Sequence, residues 1–195
     1  MDLRYTADGK WVLFHDATLK RTMGLAGSIR RSRWNDIKNL DAGGWFARRF
    51  RGETIPLVEE ALRLCRQGQV DTFLDVKVPG GEKRLMEILR KSGWSKKVTL
   101  GFGKPRISSL RGVPTFWVTG YHAAVTSRRI ALGKRCGITG FAAYKGKVTP
   151  SVVERVHAVG LKLYVWTIQT AQEFRRYARM GADGLMSEVW PPPLI

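Results

Sequence analysis

The chain has 195 residues, 44% of them hydrophobic, and a net charge of +18 from 34 Lys and Arg against 16 Asp and Glu. This apolar share suits one packed domain and excludes wholesale disorder, and no apolar run is long enough for a transmembrane helix. Two cysteines, Cys65 and Cys136, exclude a disulfide framework and point to a reducing, cytoplasmic setting. The arginine clusters Arg30-Arg31, Arg48-Arg49 and Arg128-Arg129 point to anionic partners.

The chain opens on Asp2 and a hairpin turning at Asp8-Gly9 and ending in His15-Asp16. This places a carboxylate and an imidazole at neighbouring strand ends. The stretch before it carries Asp2, Arg4 and Asp8, so no secretory segment is expected. Strands are expected at 11–15, 72–76, 98–102, 115–118, 138–141, 163–167 and 184–187. Several are continuously apolar, as in strands buried on both faces. Helical patterns fall between them at 57–67, 82–92, 127–136, 150–159 and 171–180. Thr149-Pro150 reads as an N-cap and first helical position, and Gly160 and Gly181 as stops. Strand–helix alternation of this kind implies a parallel sheet. Cys65 is expected in the core of its helix, and Trp45-Phe46 and Trp94 are expected to pack.

In register, the motifs resemble those of the glycerophosphodiester phosphodiesterase family. They begin with Thr6, Asp8 and Gly9, then His15-Asp16 with Thr18, Leu19, Arg21 and Thr22. Leu40, Asp41, Ala42 and Gly43 with Trp45-Phe46 follow, and then Glu53, Ile55, Pro56, Leu57, Glu59 and Glu60. Leu74-Asp75-Val76-Lys77, Val165-Trp166-Thr167 and the stretch from Gly181 through Asp183-Gly184 to Ser187-Glu188 complete the series.

The resemblance implies a TIM-type (β/α)8 barrel over residues 1–195, with residues 17–56 as a small insertion after the second strand. The family's opening His-Arg-Gly strand and first helix have no counterpart here. The expectation is therefore an N-terminally truncated barrel of about seven strands. The implied activity is hydrolysis of glycerophosphodiesters to an alcohol and glycerol 3-phosphate. By resemblance, His15 takes the catalytic acid–base position, Asp2 and Asp75 hold a divalent metal, Mg²⁺ or Ca²⁺, Lys77 approaches the phosphate, and Trp166 lies near the glycerol. Asp75 stands where the family has glutamate. The chemistry suits these types: hard cations take oxygen ligands, and imidazole titrates near neutral pH.

The alternative is a catalytically inactive barrel that binds phosphate esters, anionic lipid or nucleic acid through its basic surface, nucleic acid being the less favoured partner. An incomplete barrel leaves unpaired edges, so a homodimer covering the gap is expected.

Overall fold

The computed structural model describes residues 1–105 and 112–188. They form two compact units, residues 1–99 and residues from 100 onward.

In the first unit, β1 (Asp2–Tyr5) and β2 (Trp11–Leu13) form an antiparallel hairpin with Leu3 opposite Leu13 and Tyr5 opposite Trp11. The turn closes through Thr6 N–H to the Lys10 carbonyl at 2.9 Å, with Gly9 at φ 84°. Only glycine enters that region without a Cβ penalty. β1 also pairs in parallel with β3 (Thr72–Val76), placing Asp2 beside Asp75. Between β2 and β3, residues 17–56 contribute two single-turn helices, α1 (Lys20–Met23) and α2 (Trp34–Ile37). Leu19, Ile29, Ile37 and Ile55 of this segment close a small core with Val12 and Phe14. The amphipathic helices α3 (Val58–Gln67) and α4 (Glu82–Lys91) follow, burying Val58, Ala61 and Leu62, and Leu85, Ile88 and Leu89. Complete burial of a leucine such as Leu62 or Leu85 stabilises by about 1.5–3 kcal/mol.

The second unit is a run of parallel pairings. β4 (Val98–Phe102), β5 (Thr115–Val118), β6 (Gly140–Tyr144), β7 (Lys162–Ile168) and β8 (Gly184–Ser187) pair in chain order. Helices α5 (Ser127–Arg135), α6 (Pro150–His157) and α7 (Ala171–Arg179) connect the later strands. Each starts on a threonine, Thr126, Thr149 or Thr170, whose hydroxyl accepts a first-turn backbone N–H. Their apolar faces meet β6 and β7 in a core that includes Phe141, Val156, Leu163, Val165 and Ile168, all fully buried.

The architecture is α/β and mostly parallel, as expected, with three corrections. Eight strands are present among the described residues, against about seven expected. The extra one is β1, whose alternating Asp-Leu-Arg-Tyr buries only Leu3, so it lacks the apolar run of the others. Cys65 is half-buried, on a helix face that also leaves Leu64 66% exposed. Trp94 packs, at 8% exposure, but Trp45 and Phe46 do not.

Candidate active site

Parallel pairing of β1 with β3 sets Asp2 and Asp75 in adjacent register. Two residues beyond Asp75, Lys77 has the same side-chain direction by the strand period. Its Nζ lies 3.0 Å from Asp2 Oδ1 and 2.5 Å from Asp75 Oδ2, so one ammonium bridges two carboxylates. All three side chains are mostly withdrawn from solvent, at 31%, 16% and 26% exposure for Asp2, Asp75 and Lys77. Burial alone would lower the Lys77 pKa and is the largest single influence. The hydrogen bond and charge of Asp75, joined by those of Asp2, outweigh it and raise the value above 10.5.

Among the described residues, no group of three or more His, Cys, Asp and Glu side chains converges on one metal position. Two carboxylates in register nevertheless match the hard-oxygen donor set of a cation that completes its shell with water and substrate phosphate, as Mg²⁺ does.

His15 is held by its backbone and by its ring. Phe14 N–H donates to the Asp2 carbonyl at 3.0 Å, bringing the end of the hairpin beside β1. Arg4 donates from Nε and Nη2 to the His15 carbonyl, at 3.0 and 2.7 Å. The ring's Nδ1 lies 2.8 Å from Asp16 Oδ1. Arg21 clamps Asp16 in turn, Nε to Oδ2 at 2.6 Å and Nη2 to Oδ1 at 3.1 Å. The hydrogen bonds from Arg21 first, and from His15 second, hold the Asp16 pKa down at about 2. Asp16 is therefore an anion at neutral pH and keeps a proton on Nδ1, leaving Nε2 for a substrate. The Arg21 guanidinium lies 4.4 Å from the Trp45 ring centroid. His15, Arg21, Trp45, Glu53 and Ile55 line a cleft of about 240 Å³.

Arg4 was not anticipated. It feels Asp16, Asp2 and Asp75, although burial, the larger effect, lowers its pKa. The signal was its spacing: on a strand Asp2 and Arg4 share one face.

Trp166 lies in the second unit, on β7. Its Nε1 donates to the Ala142 carbonyl at 3.1 Å. Its ring lies 5.0 Å from that of Tyr121 and 5.5 Å from that of Tyr144, centroid to centroid. These rings belong to the carboxyl ends of β6 and β7 and the segment after β5, and register pairs Tyr144 with Trp166. Beside them Lys145 Nζ contacts Glu173 Oε1 at 2.5 Å. Sequence reasoning named Trp166 without its two neighbours, which are far from it in sequence. Of the five expected site residues, Asp2, Asp75 and Lys77 are in direct contact. His15 joins them through β1, and Trp166 belongs to the second unit's cluster with Tyr121 and Tyr144.

Fold and site define a mostly parallel α/β protein with an ion-paired Asp2–Lys77–Asp75 group on neighbouring strands. Residues 1–189 match the model of the glycerophosphoryl diester phosphodiesterase family, and the chain belongs to that family. It is 25% identical to the glycerophosphodiester phosphodiesterase of Caldanaerobacter subterraneus subsp. tengcongensis, across 96% of this chain and 80% of that protein. It is 27% identical to glycerophosphodiester phosphodiesterase 1 of Bos taurus, across 98% of this chain and 70% of that one. Among solved structures, a glycerophosphoryl diester phosphodiesterase from Silicibacter pomeroyi superposes with TM-score 0.80 at 22% identity, covering 98% of this chain and 80% of that one. An Oleispira antarctica phosphodiesterase, solved in complex with the product sn-glycerol-3-phosphate, gives TM-score 0.78 at 21% identity, covering 95% and 78%. No helix among the described residues is long and apolar enough to cross a membrane.

Proposed function

We propose that this chain hydrolyses glycerophosphodiesters to an alcohol and glycerol 3-phosphate, within a single barrel-type domain. The observation that carries this reading is the Arg21–Asp16–His15 chain tied beside the Asp2–Lys77–Asp75 group by the β1–β2 hairpin, through Phe14 N–H to the Asp2 carbonyl and the Arg4 fork onto the His15 carbonyl. The family match over residues 1–189 supports it.

Lys77 and Arg4 supply positive charge for the phosphoryl oxygens. His15, its Nδ1 engaged by Asp16, uses Nε2 to deliver a proton to the leaving oxygen. Water supplies the new P–O bond while the P–O bond to the alcohol breaks, and the proton shed by water balances the one given to the alcohol. The cleft lined by His15 and Trp45 accommodates the leaving alcohol. A Mg²⁺ or Ca²⁺ ion held by Asp2 and Asp75 would neutralise charge on the phosphoryl group. The two-carboxylate set favours Mg²⁺, since Ca²⁺ takes more oxygen ligands. A cytoplasmic setting accords with the free thiols Cys65 and Cys136.

The test is release of glycerol 3-phosphate from glycerophosphocholine by the purified chain, with Mg²⁺ and with chelator. The expected result is metal-dependent turnover that His15→Ala lowers by about 10²–10⁴-fold at unchanged melting temperature. Folded protein without turnover rejects the reading and favours a binding protein, whose affinity for phosphate esters is insensitive to chelator.

A further inference from the structure

Trp45 and Phe46 are 48% and 67% exposed, the reverse of the packing their size favours. The loop that presents them is nonetheless pinned. Asp41 Oδ1 accepts the N–H groups of Gly43 and Gly44 at 2.9 and 2.8 Å, and Ala42 N–H donates to the Glu53 carbonyl at 2.7 Å. A Cβ on Gly44 would lie 2.6 Å from Asp41 Oδ2, and one on Gly43 would run into the Phe50 carbonyl. Gly43 therefore requires glycine by close approach to backbone, whereas a Cβ at Gly44 would displace the Asp41 carboxylate. Trp45 Nε1 spends its proton on the Ala42 carbonyl at 2.9 Å, so what the indole offers outward is hydrocarbon. Phe46 stacks against both Trp45 and Phe50, with centroids 5.8 and 5.7 Å away.

The charge around this tip is predominantly positive, four arginines against Asp41 and Glu53. Arg21, Arg48, Arg49 and Arg51 are all exposed, and Arg49 lies 4.8 Å over Phe50. Among the described residues no carboxylate forms an ion pair with Arg48 or Arg49. Of the nearby acids, Asp41 gives its Oδ1 to backbone N–H groups, those of Gly44 and Gly43 being the main cause of its lowered pKa, and Glu53 lines the cleft beside Trp45.

We infer that this face docks the protein on an anionic phospholipid bilayer. Aromatic side chains settle at the level of lipid headgroups, and arginines flanking them are drawn to anionic lipid. Net basic charge alone would serve nucleic acid as well. However, Arg21 lies over the Trp45 ring and Phe46 abuts it edge-on at 69°, which leaves Trp45 poorly placed to stack on a base. The outward rims of the two rings suit a headgroup layer. Because Arg21 joins Trp45 to Asp16 and His15, docking by this face presents the His15 cleft to the lipid surface. The inference concerns binding and does not depend on turnover.

The experiment is co-sedimentation of the full chain with vesicles of phosphatidylcholine, with and without phosphatidylserine, at low and physiological salt. Binding is expected only with phosphatidylserine. Arg48→Gln/Arg49→Gln should weaken it about thirtyfold, from about 1 kcal/mol per arginine. Trp45→Ala/Phe46→Ala should weaken it about tenfold or more through lost apolar insertion. A charge-matched control in the second unit, Arg175→Gln/Arg179→Gln, both exposed, should bind like the parent. The arginine variants should keep the parent's circular dichroism and melting temperature, since those groups are solvent-facing, and Trp45→Ala/Phe46→Ala should keep the parent's circular dichroism. Three results overturn the inference: equal loss in the control, loss of duplex-DNA binding without loss of vesicle binding, or a dimer in sedimentation velocity that Trp45→Ala/Phe46→Ala converts to monomer.

Discussion

The first unit fixes its reactive groups with charge, whereas the second fixes its carboxyl edge with aromatic rings and capped helices. In residues 1–99, Asp2, Asp75 and Lys77 hold one another, as do Arg21, Asp16 and His15. In the second unit, Tyr121, Tyr144 and Trp166 pack ring against ring, over strands braced by helices begun at Thr126, Thr149 and Thr170. The difference teaches where sensitivity lies. Charge networks respond to pH and to loss of one partner, while packed rings and caps respond to volume and to single hydrogen bonds.

The sharpest way to break this comparison is Lys77→Met. It leaves two neighbouring carboxylates without their shared cation and should cost about 2 kcal/mol, less than a fully buried pair because each group keeps some solvent. Denaturant titration measures it. The Lys77 pKa is raised above its unfolded value of 10.5. Its contribution is therefore complete below that pH and lost only as pH rises through the higher folded value. The gap between parent and variant should stay constant through neutral pH and shrink in alkali.

Thr149→Ala tests the other unit. Loss of the hydroxyl that accepts Val152 N–H, at 3.4 Å, should cost up to about 1 kcal/mol. It should leave glycerol 3-phosphate release and its pH profile unchanged, and an altered profile would show that the two units are not separable in this way.

The smallest expected effect is that of Asp16→Asn. A carboxyl depressed from 3.8 to about 2 stabilises the native state above pH 3.8, and that contribution disappears as pH falls through 2. Melting curves of parent and variant should converge near pH 2 and separate toward pH 4. The separation should be under about 1 kcal/mol, since the Arg21 partner is 49% exposed.

Much of the fold was legible because its signals are local. The five long helices were expected to within two residues at each end, from apolar periodicity, Thr149-Pro150 and the closing glycines. Strands 72–76, 98–102, 115–118 and 184–187 matched their boundaries, being apolar or turn-bounded. α1 and α2 were not read, since single turns carry no periodicity. In the site, Asp2 and Asp75 are expected as metal ligands and Lys77 as a phosphate contact; the structure shows the three in mutual ion pairs, which follow from the β1–β3 register. Arg4's fork onto the His15 carbonyl and Arg21's onto the Asp16 carboxylate depend on how the chain turns after β2, which residue type alone does not specify. Exposure of Trp45 and Phe46 is likewise set by Asp41 and two glycines turning the loop outward, not by the aromatic residues.

That loop separates support from display. Gly43, Gly44 and Asp41 form the frame: backbone of Phe50 excludes a side chain at Gly43, and one at Gly44 would displace the Asp41 carboxylate that holds the turn. The ring atoms at the tip contribute little to the frame beyond Trp45 Nε1. Sequence drift, or a randomised library, at positions 45 and 46 can therefore rewrite what the protein touches at low cost to folding. Substitution at either glycine forecloses that freedom.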